Sequence, residues 1–133
     1  MDALRAAGKE RLSGKVLVDV ANILPPERRP AESLAEQIQA TFPQAKVVKA
    51  LNTINCSLMI DPSKLPDPHT VFLSGNDADA KKRARELLQA IGWKDIIDLG
   101  DVTSARATES YVTLWLALWK ALGTAQFNIR VVR

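Results

Sequence analysis

The stretch "KVVKALNTINCSLMI", Lys46 to Ile60, decides how the chain reads. Its first part, Lys46–Leu51, is an apolar run with flanking lysines, short and β-branched enough to be a buried strand. Asn52, Thr53, Asn55, Cys56 and Ser57 follow at once. In an open parallel sheet, helices cover both faces and ligands reach the chain at the carboxyl ends of the strands. A strand that ends in small polar side chains fits such a site.

The segments on either side repeat the pattern. Upstream, Lys15–Val20 ("KVLVDV") is a second apolar strand, predicted to be buried on both faces, and Asn22 lies just past its end. "ANILPPERRP" reads as a loop, because three closely spaced prolines cannot sit in a helix interior. Ala31–Thr41 reads as a helix with Leu34 and Ile38 inward, stopped by Pro43. Before these, Met1–Leu12 reads as a short amphipathic helix ended by Gly14.

Downstream, "DPSKLPDP" is a proline loop and Thr70–Ser74 a third strand closed by Gly75. Asn76 or Asp77 caps a helix to about Ile91, with Gly92 as its stop. Asp95–Leu99 is a fourth strand, and Thr103–Leu122 a last helix ended by Gly123. "FNIRVV" is either a short strand or an extended tail. Helices and strands alternate, which argues for an α/β layer fold of about four mainly parallel strands flanked by helices.

Length and composition narrow the function. The 133 residues make one domain, and 47% hydrophobic with 25% charged content is that of a globular protein. No apolar run is long enough to span a bilayer, and the charged start is not a secretory signal, so the expected location is the cytoplasm. The net charge of +3 is weak support for a nucleic-acid partner. The basic run Lys81–Glu86 lies on a predicted helix beside Asp77 and Asp79 and reads as a solvated face. Neither nucleic acid nor membrane is expected as a partner.

One cysteine and one histidine exclude an intramolecular disulfide and a multi-cysteine or multi-histidine metal site, so no metal is expected. His69, in "LPDPHTV", reads as an ordinary solvated residue. Cys56 has no histidine near it in sequence to form a thiolate, and reads as a small packed residue rather than a nucleophile. No catalytic side chain is assigned.

The candidate binding residues are Asn22, Asn52, Thr53, Asn55 and Cys56, at the ends of two strands predicted to be neighbours. Asparagine and threonine donate and accept hydrogen bonds without bringing charge into a partly dry site. The same residues can instead satisfy their own backbone in Asx-type turns, and the residues alone leave both readings open. For Asn76 and Asp77 a helix cap suffices.

A dinucleotide site needs a glycine-rich turn after its first strand, so that the diphosphate can approach a helix N-terminus. No two of the six glycines are separated by a single residue, and neither G-x-G-x-x-G nor a P-loop is present in this sequence.

"GKVLVDVAN", "VVKALNTIN", "VFLSGNDADAK", "GWKDIIDLGDVTSAR" and "LWKALGTAQFNIRVV" together resemble the NADPH-dependent reductases of the deazaflavin coenzyme F-420, and are similar to the reductase domain of the six-transmembrane iron reductases. The resemblance implies the C-terminal half of a Rossmann-type doubly wound fold, a single truncated domain over 1–133, with Met1–Leu12 matching the helix before the fifth strand. It implies NADP(H) as cofactor and hydride transfer to a deazaflavin or flavin. It also implies that the glycine-rich turn lies ahead of this segment, so that binding by these residues alone is doubtful and the isolated chain inactive.

By the same resemblance, Asn22 faces the nicotinamide half of the cofactor, although Ile23 stands where the family has proline. Asn52, Thr53, Asn55 and Cys56 match the loop bordering nicotinamide and acceptor. Arg106 and Glu109 match a motif near the acceptor or a subunit interface.

A half-sheet would leave Lys15–Val20 as an apolar edge open to pairing. "YVTLWLALWKAL", Tyr111–Leu122, is apolar almost all round and needs burial on every side. Trp115 and Trp119, one turn apart, therefore mark a candidate homodimer contact, with the open strand as the other. Two functions remain: a reductase-family hydride-transfer protein, or a non-catalytic self-associating α/β module.

Overall fold

A computed structural model of the chain describes residues 1–24 and 31–133. It contains four strands and seven α-helices among those residues: α1 (Asp2–Ala7), α2 (Lys9–Leu12), β1 (Val16–Asp19), α3 (Leu34–Thr41), β2 (Lys46–Ala50), α4 (Cys56–Met59), β3 (Thr70–Gly75), α5 (Ala78–Ala90), β4 (Asp95–Asp98), α6 (Ala105–Ser110) and α7 (Val112–Leu122). Single 3-10 turns lie at Pro62–Lys64 and Val102–Ser104.

The strands form one sheet in the order β1-β2-β3-β4. β1 pairs parallel with β2, and β3 parallel with β4, but β2 and β3 run antiparallel. The sheet is mostly parallel as expected, with one reversal at its centre. Because of it, "VFLSGND" ends at the opposite edge of the sheet from Asn52. Asp77 there ion-pairs with Lys46, at the start of β2, at 2.9 Å.

Helices cover both faces. On one face α5 buries Ala80, Ala84 and Leu88 against Val48, Val71, Leu73 and Ile96. On the other, α3 and the start of α6 bury Ala35, Ile38 and Ala105 against Val47 and Val102. Val47 and Val48 thus serve opposite cores, as successive residues of a strand buried on both sides must. Each fully buried valine or leucine contributes roughly 1.5–3 kcal/mol.

Several predicted boundaries shift, each for a local reason. Gly8, at φ 86°, splits the first helix into two. α3 starts at Leu34 rather than Ala31, because Ser33 forms a capping box: its Oγ accepts from the Glu36 N–H, and Glu36 Oε2 accepts from the Ser33 N–H at 2.8 Å. The last helix is preceded by a 3-10 turn and interrupted at Tyr111. The loop predicted over 21–30 falls largely on residues 25–30, outside the described residues. β1 is an edge strand and is only half-buried except at Asp19, instead of buried on both faces.

The C-terminus is an extended tail. Thr70 N–H donates to the Ile129 carbonyl at 2.9 Å, and Val131 N–H to Thr70 Oγ1 at 2.9 Å. His69, expected in solvent, is buried. Its Nε2 lies 3.0 Å from the Pro62 carbonyl, its Nδ1 2.7 Å from Asn128 Nδ2, and Trp93 meets its ring edge-on. A single proline-rich segment gives no hint of the tail that closes over it.

Candidate functional site at the ends of the first two strands

The parallel pairing of β1 and β2 brings their carboxyl ends side by side, and with them Asn22 and Asn52. The Asn22 Nδ2 donates to the Asn52 carbonyl at 2.6 Å. The Asn52 Nδ2 donates to Asn22 Oδ1 at 2.9 Å. These two carboxamides bond each other and not turns of their own.

The chain reaches Asn52 through Leu51, which sits at φ 62°. It is the one described non-glycine residue in the left-handed region, a conformation that costs about 1–2 kcal/mol for an L-residue. Such strain persists where surrounding contacts over-determine it. Here it folds residues 51–54 into a tight turn, with Ile54 N–H donating to the Leu51 carbonyl at 3.1 Å. Asn52 and Thr53 are consequently buried.

The other candidates sit farther along the same loop. Asn55 caps α4: its Oδ1 accepts from the Ser57 N–H at 2.9 Å and from Ser57 Oγ at 2.7 Å. Local turn chemistry therefore accounts for Asn55. Cys56 is an exposed free thiol rather than a packed residue. Gln126 of the tail donates to Ser57 Oγ at 2.9 Å and ties the loop to the C-terminus.

Arg106 and Glu109 face α3. Arg106 makes a two-pronged pair with Glu36, Nε to Oε2 at 2.8 Å and Nη2 to Oε1 at 2.6 Å. That hydrogen-bonded guanidinium holds the Glu36 carboxyl down at about 2 from an ordinary 4.5. Glu109 accepts from the first N–H groups of α3, Leu34 at 3.0 Å and Ala35 at 3.4 Å, where a carboxylate also meets the positive end of the helix dipole.

Glu109 also meets Lys49, which in the sequence looks like no more than a lysine flanking an apolar strand. Lys49 is buried, with Asp19 Oδ2 and Glu109 Oε1 each 2.8 Å from its Nζ. It donates to the Ala21 carbonyl as well. The sequence carried a signal for this. Aligning "VLVD" with "KVVK" as parallel neighbours places Asp19 opposite Lys49, the register the sheet adopts. A charge inside a buried strand needs such a partner.

Trp115 and Trp119 lie on α7. Their ring centroids are 5.5 Å apart, and Trp115 also stacks on Phe127 at 5.3 Å. The Trp115 indole nitrogen and the Tyr111 hydroxyl are buried without a hydrogen-bond partner. Leu114, Leu116, Trp119 and Leu122 are exposed on the same helix. The expectation that α7 is buried on every side is not met within one copy of the described residues.

A cavity of about 410 Å³ opens beside Trp93 and His69, lined by the proline segment 61–68. It does not include Asn22 or Asn52. Among the described residues no helix is long and apolar enough to cross a membrane.

No protein-family model matches the chain. It is 52% identical to a protein of Arthrobacter sp. FB24 whose crystal structure is described as that of a putative F420-dependent NADP reductase. That match has a TM-score of 0.94 and covers 99% of this chain and 64% of that one. It is 30% identical over 128 residues to the F420-dependent NADP reductase of Methanocaldococcus jannaschii, spanning 57% of that protein. Over 113 residues it is 34% identical to the metalloreductase STEAP3 of Rattus norvegicus, spanning 22% of it. The chain thus corresponds to part of the length of each relative.

Proposed function

We propose that this homologue of the F420-dependent NADP reductases supplies the ring-end half of an NADP(H) cleft, in which hydride passes between the nicotinamide and a deazaflavin or flavin acceptor. One observation carries the reading: the reciprocal Asn22–Asn52 pair at the adjoining ends of two parallel strands. Neutral amides at that edge suit the carboxamide of a nicotinamide, which needs both a donor and an acceptor. Thr53 adjoins the pair in the same turn, and exposed Cys56 borders the acceptor side.

The fit is confined to the ring end. These 133 residues contain no glycine-rich turn. A nicotinamide supplies the hydride chemistry itself; the protein orients the ring and excludes competing reactions. No acid-base residue is assigned, and the cytoplasm, where NADPH and the Cys56 thiol stay reduced, is the setting this reading takes.

Titration of the 133-residue chain with NADPH, followed by nicotinamide fluorescence or heat, tests the division of labour. Binding weaker than about 1 mM is expected, because the diphosphate has no main-chain cradle here. A micromolar dissociation constant would show that the polar rim suffices and overturn it.

A second reading, a non-catalytic self-associating module, is favoured by the exposed apolar side of α7. The two are compatible if a homodimer forms through Trp115 and Trp119. The open edge of β1 is the other candidate contact.

A further inference from the structure

The segment that carries Asn22 has little packing to hold it. Val20 is 41% exposed, Ile23 38% and Leu24 63%. Three apolar neighbours left in solvent cannot fix a backbone by burial. Yet the Asn22 carboxamide sits within 2.9 Å of its partner in the turn after β2. Something else holds this stretch in place.

The structure offers one device. The Lys49 ammonium has three N–H donors and three acceptors: Asp19 Oδ2, Glu109 Oε1 and the Ala21 carbonyl. The Ala21 N–H donates to the second oxygen of the same Asp19 at 3.0 Å. The residue just before Asn22 is therefore gripped at both its N–H and its carbonyl by one charge cluster. The Lys49 side chain is only 1% exposed.

Stability alone is a poor reason for such a cluster. Dehydrating charged groups costs several kcal/mol per ion, and well-packed apolar residues of similar volume are often as stable or more so. What apolar residues cannot do is aim a backbone carbonyl. We propose that Lys49 is the positioning residue of the site. By holding Ala21 it sets Asn22 against Asn52, and Glu109 balances its charge while fastening α6 to the start of α3. The functional meaning rests on the ring-end reading above, but the positioning itself is tested without any nucleotide.

The test is Lys49→Met, read by the side-chain carboxamide signals of Asn22 and Asn52 in nitrogen-proton NMR spectra of the full chain. Asn22→Ala and Asn52→Ala assign the signals. Thr70→Val, which breaks the Thr70–Asp95 hydrogen bond between β3 and β4, serves as a comparison outside the Lys49 cluster. In Lys49→Met both carboxamide pairs are expected to lose their distinct shifts and move toward those of exposed asparagine, while core amides such as those of Val71 and Leu88 stay in place. Thr70→Val is expected to leave the carboxamides unchanged. If Lys49→Met does not fold, the double variant Lys49→Met with Asp19→Asn removes one stranded carboxylate and gives the same readout. Asn22 and Asn52 signals at wild-type positions in either folded variant would overturn the proposal.

Discussion

Asn22 and Asn52 lie thirty residues apart in sequence, and each offers its carboxamide NH₂ to the other, at 2.6 and 2.9 Å. The pair closes the joint between β1 and β2 at the edge where an open α/β sheet binds its ligands. Breaking it on one side leaves the other carboxamide short of a partner in a part-buried place. Asn52→Ala is expected to lower stability by about 1–2 kcal/mol, read as a lower urea midpoint at unchanged slope. A loss below about 0.3 kcal/mol would mean that water replaces the partner freely.

Acid acts on the α3–α6 contact through Glu36, whose carboxyl is held at about 2 by Arg106 against an ordinary 4.5. A folded-state value below the unfolded one gives stability that is present above pH 4.5 and fades as pH falls toward 2. Arg106→Gln is expected to melt lower than the parent at pH 7, by on the order of 1 kcal/mol because the guanidinium is half-exposed. The gap is expected to narrow as pH drops through that window. Thermal melts at pH 7, 4 and 2.5 check this, and a gap independent of pH would assign the loss to packing instead.

Glu109 serves two groups at once, the Lys49 ammonium and the first N–H groups of α3. Removing one partner of a buried ion pair leaves an uncompensated charge, and Glu109→Ala is expected to cost roughly 3–5 kcal/mol. Glu109→Gln keeps an acceptor for α3 and is expected to cost less. Denaturant melts of the two variants decide it: equal losses would mean that the charge pair with Lys49 carries the whole cost, and no loss in Glu109→Gln would mean that only the cap matters.

The outer side of α7 leads to an association prediction. Trp119 is 47% exposed beside exposed Leu114, Leu116 and Leu122, an apolar patch of the kind that marks an interface. Sedimentation is expected to show a dimer at tens of micromolar, weakened in the Trp115→Ala, Trp119→Ala double variant. A clean monomer of the parent chain would contradict this, and an unchanged dimer in the variant would move the contact to the open edge of β1.

The strands were legible because each is an apolar run closed by a glycine or a polar turn, and the helix of α5 because Asp77 caps it. Strand direction was not legible. An apolar run carries no arrow, and the reversal at β3 depends on the path of residues 51–69, where a strained Leu51, a four-residue helix and a 3-10 turn replace a plain loop. The side-by-side placement of Asn22 and Asn52 was legible because their strands read as neighbours. Lys49 was missed because a lysine beside a strand reads as its boundary, and only the register with Asp19 shows that it lies inside. His69 was misplaced because its cover, Asn128, lies fifty-nine residues away in sequence.

The most direct test of the ring-end assignment is a titration with reduced nicotinamide mononucleotide, which keeps the ring and ribose phosphate without the diphosphate bridge. Amide and carboxamide NMR signals of the 133-residue chain report where it lands. Progressive shifts of Asn22, Asn52 and Thr53 in the millimolar range are predicted, with β4 and α5 unaffected. Silence at those three residues, or shifts confined to the cavity beside His69 and Trp93, would contradict the account.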